Sequence, residues 1–309
     1  MLFAEWIGIV AIAVAMVFVV RHEVMFFFSW VRRQEIPQTK VSLFVHCVFL
    51  IGIVLLAYAF FVEPYWLEVK HVEISTEKLK RVDFTLVQIA DLHCDVQQRN
   101  ERKIVELVNK INPDIIVFTG DSINVPQALP VFKHVLSNLT ARLGKIAVKG
   151  NWDVWYWKDF DLFNETGFQE LNGKAETFLK EGEAISIAGF NPDEQISASN
   201  IFDLAFPDMY NILLYHYPGI NEEIENNPFN LILSGHTHGG QVALPFYGAI
   251  ITLSQYGKKY ESGVYLLARD KMLYVSRGVG MEGGAAPRVR FLSRPEITVF
   301  HIKPEKTKE

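Results

Sequence analysis

Phe84-Thr-Leu-Val-Gln-Ile-Ala-Asp-Leu-His93 is a short apolar run that stops on a polar pair, Asp91 and His93. It is too short for a helix and rich in strand-favouring residues, so it reads as a strand whose carboxyl end carries two hard ligands. The same design recurs down the chain. Ile115-Ile-Val-Phe118 precedes Gly120-Asp121, and Ile146-Ala-Val148 precedes Gly150-Asn151-Trp152-Asp153. Asn211-Ile-Leu-Leu-Tyr215 feeds His216, and Leu231-Ile-Leu233 precedes Gly235-His236-Thr237-His238. In layered α/β proteins ligands gather outside the carboxyl ends of strands, where Gly lets the backbone turn sharply. Five strand ends therefore converge on one cleft. So many Asp, Asn and His residues at the ends of apolar runs point to a metal site, and a pair of divalent ions accounts for them.

The ordered set Asp91-Leu-His93, Gly120-Asp121, Gly150-Asn151-Trp152-Asp153, His216 and Gly235-His-Thr-His238 resembles the calcineurin-like metallophosphoesterase family, over about residues 82–302. Val108–Asp121, Gly235–Gln241 and Ser276–Gly280 are similar to a membrane-anchored branch of it. That branch includes cell-wall-type phosphodiesterases and a UDP-2,3-diacylglucosamine pyrophosphatase. The resemblance implies a layered α/β domain of two packed β-sheets flanked by helices. It also implies roles: Asp91, His93 and His238 on a first metal, Asn151, His216 and His236 on a second, and Asp121 bridging both. Two ions, Mn, Fe or Zn, about 3.5–4 Å apart would share a hydroxide that attacks a phosphoester or pyrophosphate. Asn151 and Asp153 are the residues expected to take part in catalysis beside the metals.

One position departs from the family pattern. Where the family has His beside the metal-ligating Asn, this chain has Trp152. Indole has no proton to give near neutral pH, so general-acid help of about 10²–10⁴-fold is absent. Asp153 remains available either as a hydrogen-bonding partner behind the ligands or as a proton carrier. Such a site suits a good leaving group. It equally suits a catalytically weak membrane sensor or scaffold that binds metal and phosphate-bearing ligands. Trp155, Tyr156 and Trp157 continue an aromatic knot that either packs or touches lipid. Arg277, Arg288 and Arg290 are candidates for a phosphate clamp but more simply form surface ion pairs. His236 and His238, two apart on an extended segment, should point the same way, and Cys94 should turn away to pack.

The N-terminal third reads differently. Residues 2–20 are apolar apart from Glu5, and 41–62 apart from Ser42 and His46; each stretch suits a bilayer core. The chain is expected to begin with a transmembrane helical hairpin (1–62) and a connector (63–81), whose Glu63–Ile74 stretch enters an edge strand and whose Thr76–Arg81 stretch turns, followed by the phosphoesterase domain (82–302) and a tail (303–309). Arg21, Arg32, Arg33 and Lys40 between the spans favour a cytoplasmic loop and an external catalytic domain, while Lys70, Lys78, Lys80 and Arg81 argue the other way. A two-span anchor in the cell (inner) membrane is the expectation.

A net charge of −5 argues against nucleic acid as a partner, and two cysteines leave no disulfide framework. Asn100–Ile111 and Pro130–Leu143 read as helices, and Ala184–Phe190, Ile250–Leu253, Gly263–Leu267, Met272–Val275 and Ile297–His301 as strands. The expected activity is metal-dependent hydrolysis of a phosphoester or pyrophosphate. Its partners would be the lipid bilayer and a phosphorylated lipid or nucleotide-linked lipid precursor such as UDP-2,3-diacylglucosamine.

Overall fold

In the computed structural model, which describes residues 3–34, 39–193, 196, 198–224, 226–283 and 288–305, the chain divides into two units, Met1–Val62 and Glu63–Glu309. The first holds α1 (Phe3–Val31) and α2 (Lys40–Phe61). Both helices are long and apolar enough to cross a membrane. The helix of the first span does not stop near residue 20. It continues through Arg21, His22 and Glu23 to Val31, because the apolar run Val24–Phe28 extends the helical pattern beyond the polar triplet. Glu23 finds a partner there: its Oε1 lies 2.6 Å from His46 Nδ1 of α2. A carboxylate on an otherwise apolar helix is costly in lipid unless it is paired in this way.

Among the described residues the second unit holds fourteen strands with intervening helices. In chain order these are β1 (Glu68–Thr76), β2 (Phe84–Ile89), α3 (Glu101–Ile111), β3 (Ile115–Thr119), α4 (Leu129–Asn138), β4 (Gly144–Val148), α5 (Asn151–Tyr156) and β5 (Gln169–Glu170). Then follow β6 (Lys174–Lys180), β7 (Glu183–Phe190), β8 (Tyr210–Tyr215), β9 (Leu231–Ser234), β10 (Ala243–Leu244), β11 (Gly248–Ala249), β12 (Gly263–Ala268), β13 (Lys271–Val275) and β14 (Glu296–Pro304). One six-stranded sheet runs β1-β14-β2-β3-β4-β5 and the other β12-β13-β9-β8-β7-β6.

Period-two alternation decides how the sheets pack. Leu86, Val117 and Ile146 face Ile187, Ile212 and Leu233 in a core between the sheets. Their neighbours Val87, Ile116 and Ala147 point outward and bury Ile104 and Val108 of α3 and Phe132 and Leu136 of α4. A third cluster, including Leu213, Ile232 and Leu273, covers the outer face of the second sheet. With both faces covered, the central strands read as continuous apolar runs. Each fully buried Leu, Ile or Phe contributes about 1.5–3 kcal/mol. This is a mixed α/β fold of two packed sheets flanked by helices.

Three elements differ from the sequence reading. The helix expected over 130–143 ends at Asn138, because Leu139 turns extended (φ −78°, ψ 136°) and buries its side chain among the helix-facing core. Ile250–Leu253 is not a strand; Ile251 and Leu253 are exposed, and the backbone leaves the β10–β11 pair after Ile250. β6 escaped notice because Lys174-Ala-Glu-Thr-Phe-Leu-Lys180 is mostly polar, and only Phe178 is buried. The stretch after Val62 does enter an edge strand as expected: β1 pairs in parallel with β14 along its whole length.

Candidate metal centre

The loops leaving β2, β3, β4, β8 and β9 meet at one end of the two-sheet core. They are tight and strained. Asp91, His93, Asp121, His236 and His238 all adopt positive φ, from 37° to 74°. Non-Gly residues rarely occupy this region, and they cluster where surrounding structure over-determines a functional geometry. Two glycines make the approach possible. Gly120 has φ 95° and lies against Gly150, and a Cβ at Gly150 would overlap the Asp121 carboxylate.

These turns bring all seven expected ligands into one buried cluster. Asp91, His93, Asp121 and His238 each place one ligand atom within 4.8 Å of the others. Asp121 Oδ2 lies between two imidazoles, 3.4 Å from His93 Nε2 and 3.3 Å from His216 Nε2. Asn151 Oδ1 lies 3.0 Å from His216 Nε2 and 2.9 Å from His236 Nδ1. His238 Nε2 sits 3.5 Å from Asp91 Oδ1. His236 and His238 do not reach these places from an extended segment. Their left-handed backbones turn them toward different partners, Asn151 for the first and Asp91 for the second.

The donor set suits divalent cations. Asp91 Oδ2 and His93 Nε2 are buried without a hydrogen-bond partner among the described residues, the Asp121 carboxylate standing off His93 Nε2 at 3.4 Å. Leaving such atoms unsatisfied costs about 1–3 kcal/mol each, which a bound cation would offset. Two imidazoles are held from behind as metal ligands usually are: His216 Nδ1 is 2.7 Å from the Thr119 carbonyl, and His93 Nδ1 is 3.0 Å from Asn124 Oδ1. Hard carboxylate and amide oxygens with imidazoles match Mn, Fe or Zn better than a soft metal.

Without a cation the charges must compensate one another. Burial raises the Asp91 carboxyl to about 6, although the neighbouring His216 opposes it. For His216 burial opposes protonation, yet the Asp121 carboxylate outweighs it and pushes the ring up to about 9. Asp121 is itself held well below the usual carboxylate range: burial acts against this, and His216 overrides it. Burial, reinforced by the charge on His216, takes His236 down to about 4.

The residues around the cluster brace its loops and cover its ligands. Asp153 is fully buried, and its two oxygens accept the backbone N–H groups of Gly150, Asp121 and Ser122 together with the Ser122 hydroxyl. All of that accepting capacity is used on the loops, so of its two expected roles the geometry fits the partner that braces the ligands rather than the proton carrier. Trp152 donates its backbone N–H to Asp121 Oδ1 at 2.9 Å and stacks edge-on against His93, ring centroids 5.2 Å apart. Beside it Glu282 has a raised pKa: burial leads, and the Asp121 charge adds to it, while His93 and the Trp152 indole oppose. Trp155 and Tyr156 are largely exposed, whereas Trp157 is anchored by its indole N–H on the Ile123 carbonyl. Cys94 is buried and packs with the helix-facing core.

The three arginines are committed. Arg277 is held by Glu68 and Glu296, and Arg288 Nη1 pairs with Asp95 at 3.0 Å. Arg290 is not a surface residue: it is fully buried and donates to the carbonyls of Gly278, Gly280 and Ser293. It ties together the loop that backs His238. Asn124 and Glu282 carried no spacing signal that marks a site.

Residues 84–240 match the family described as calcineurin-like phosphoesterase. The chain belongs to that family. YkuE, a metallophosphoesterase of Bacillus subtilis, is 37% identical, and the match covers 80% of this chain and 89% of YkuE. The UDP-2,3-diacylglucosamine pyrophosphatase LpxG of Chlamydia muridarum is 25% identical over 76% of this chain and 92% of its own. The phosphodiesterase YaeI of Escherichia coli is 26% identical over 79% and 92% respectively. As a calcineurin-like phosphoesterase this chain is a hydrolase of phosphate esters. The two apolar helices and the relatives together suggest membrane association.

Proposed function

We propose that this hydrolase uses two divalent ions to cleave a phosphoester or pyrophosphate in a lipid or nucleotide-linked lipid precursor, with UDP-2,3-diacylglucosamine as the type of substrate. The observation that carries the dinuclear reading is the placement of Asp121 Oδ2 between His93 and His216, with unsatisfied Asp91 and His93 atoms beside it. In this reading Asp91, His93 and His238 hold one ion, Asn151, His216 and His236 hold the other, and Asp121 serves both. Divalent ions bound there supply charge neutralisation at the phosphoryl oxygens and lower the pKa of an attacking water. Support for the substrate class comes from the LpxG relatives and the apolar helices.

The chain's own residues do the rest. Asp153 fixes the Asp121 and Asn151 loops, and the Trp152 backbone holds Asp121 Oδ1, so the bridging carboxylate keeps one orientation. The Trp152 indole covers His93 and offers no proton to a departing oxygen. The preferred leaving group is then one of low pKa, such as the nucleoside monophosphate of a pyrophosphate. Trp152 also favours a second reading, a metal-binding membrane sensor of low turnover. Steady-state assays with added Mn²⁺ on an aryl phosphodiester and a nucleotide-linked lipid pyrophosphate distinguish the two. Turnover of the pyrophosphate at least as fast as the aryl ester supports the enzyme; no turnover of either by metal-loaded protein supports the sensor.

A further inference from the structure

A groove of about 600 Å³ opens directly on the candidate metal ligands His236 and His238. Its far wall is apolar, made by Val242, Ile250, Ile251 and Leu253. This is the segment that the sequence suggested as a strand and that the sheets leave out. Ile251 and Leu253 are 43% and 64% exposed, and Leu253 is held in the left-handed region (φ 56°) with its carbonyl against the His236 ring. The wall continues into the hairpin of β10 and β11: Ile250 N–H bonds the Val242 carbonyl at 3.1 Å, and Phe246 stands fully exposed at the tip. A second cavity of about 360 Å³ lies on the other side of His236 and Leu253, lined by Trp155, Tyr217 and Tyr256. It is more polar in character, with Glu223 and Gln255 on its edge.

We propose that the apolar groove receives the hydrocarbon chain of the substrate, leaving the polar remainder of the ester to the aromatic cavity. The occupant is a lipid chain rather than a separate protein because the groove ends on His236 and His238. Whatever fills it must therefore belong to the molecule whose phosphate lies over those residues. Its size is that of small-molecule pockets, which are mostly apolar with a few convergent polar groups. The chain also carries two helices able to hold it at a bilayer, the source of such molecules. This inference rests on the phosphohydrolase reading, and it makes Ile251 and Leu253 determinants of specificity.

The test uses the full chain in lipid nanodiscs with Mn²⁺ and two esters sharing one leaving group, p-nitrophenyl methyl phosphate and p-nitrophenyl decyl phosphate. The decyl ester should have a kcat/KM at least about tenfold higher, expressed mainly in KM. Ile251→Asp should bring the decyl-to-methyl ratio close to one, and Ile251→Ala, which adds no charge, should move it in the same direction. A decylphosphonate with a terminal diazirine gives a readout independent of turnover. It should cross-link to the 242–253 peptide and be displaced by decylphosphonate but not by methylphosphonate. Equal rates on both esters, with no cross-link to that peptide, overturn the groove and leave the phosphohydrolase standing. Absence of hydrolysis with specific cross-linking overturns the enzymatic reading while supporting the groove as a lipid site.

Discussion

Trp152 is the residue on which the choice of substrate turns. If lack of a proton donor limits poor leaving groups, Trp152→His should raise turnover of an alkyl phosphoester by about tenfold or more and that of an aryl ester or pyrophosphate little. Stopped-flow or steady-state rates on the three substrates check this. Equal losses on all three would show instead that the indole, packed edge-on against His93, shapes the pocket. His216 leads to a second expectation. With its ring pushed up to about 9 by Asp121 against the effect of burial, it is protonated at pH 7 when no cation is bound. Because this folded value lies above the free imidazole's ~6.5, the His216–Asp121 attraction stabilises the metal-free protein at lower pH and is lost as pH rises through about 9. Metal ligation needs the neutral ring, so cation affinity should rise at least about tenfold per pH unit between pH 6.5 and 9, with release of one or more protons at pH 7. Calorimetric titration of stripped protein with Mn²⁺ in buffers of different ionisation enthalpy measures both, and an affinity independent of pH would contradict the assignment of His216.

At the level of elements, the strand that follows the apolar helices belongs to the sheet, and so does the turn before it. Glu63 is fully buried and its carboxylate accepts the backbone N–H groups of Leu292 and Ser293, while β1 pairs with β14. We therefore place the start of the catalytic unit at Glu63. A soluble fragment beginning at Glu63 should melt higher than one beginning at Glu68, by about 1.5–3 kcal/mol of stability per lost charged hydrogen bond; identical melting would return 63–67 to a linker. The contrast shows what the sequence made legible. The central strands β2, β3, β4, β8 and β9 announce themselves because they are buried on both faces and end in Gly or hard ligands. β6 does not, since its outward face is polar, and Ile250–Leu253 misleads, since apolar residues exposed beside a cleft look like residues buried in a sheet. The seven residues of the cluster were readable from order and spacing. The supports were only partly so: Asp153 stood out beside Asn151 as a possible partner of the ligands, Arg290 was misread as a clamp or surface residue, and Asn124 gave no sign, because all three act through backbone groups that only the closed loops bring near them.

For the whole molecule, the arrangement of basic residues in the first unit bears on the side of the membrane. Because α1 extends to Val31, Arg21 lies within a helix, and Arg32 and Arg33 remain as the basic residues just beyond its end. We propose, from the positive-inside rule, a cytoplasmic turn and an external catalytic unit. A reporter enzyme fused after Glu309 should be active outside the cell; activity inside would reverse the topology. The central claim, that one carboxylate unites two cation sites, is tested most directly by metal analysis of the purified full chain and of Asp121→Asn, alongside turnover of an aryl phosphodiester. The substitution removes a charge and one oxygen from the position between His93 and His216. The account predicts about two divalent ions per native chain, and loss of bound metal together with a rate at least about a hundredfold lower in the variant. An Asp121→Asn protein that keeps full metal content and a normal rate would contradict it.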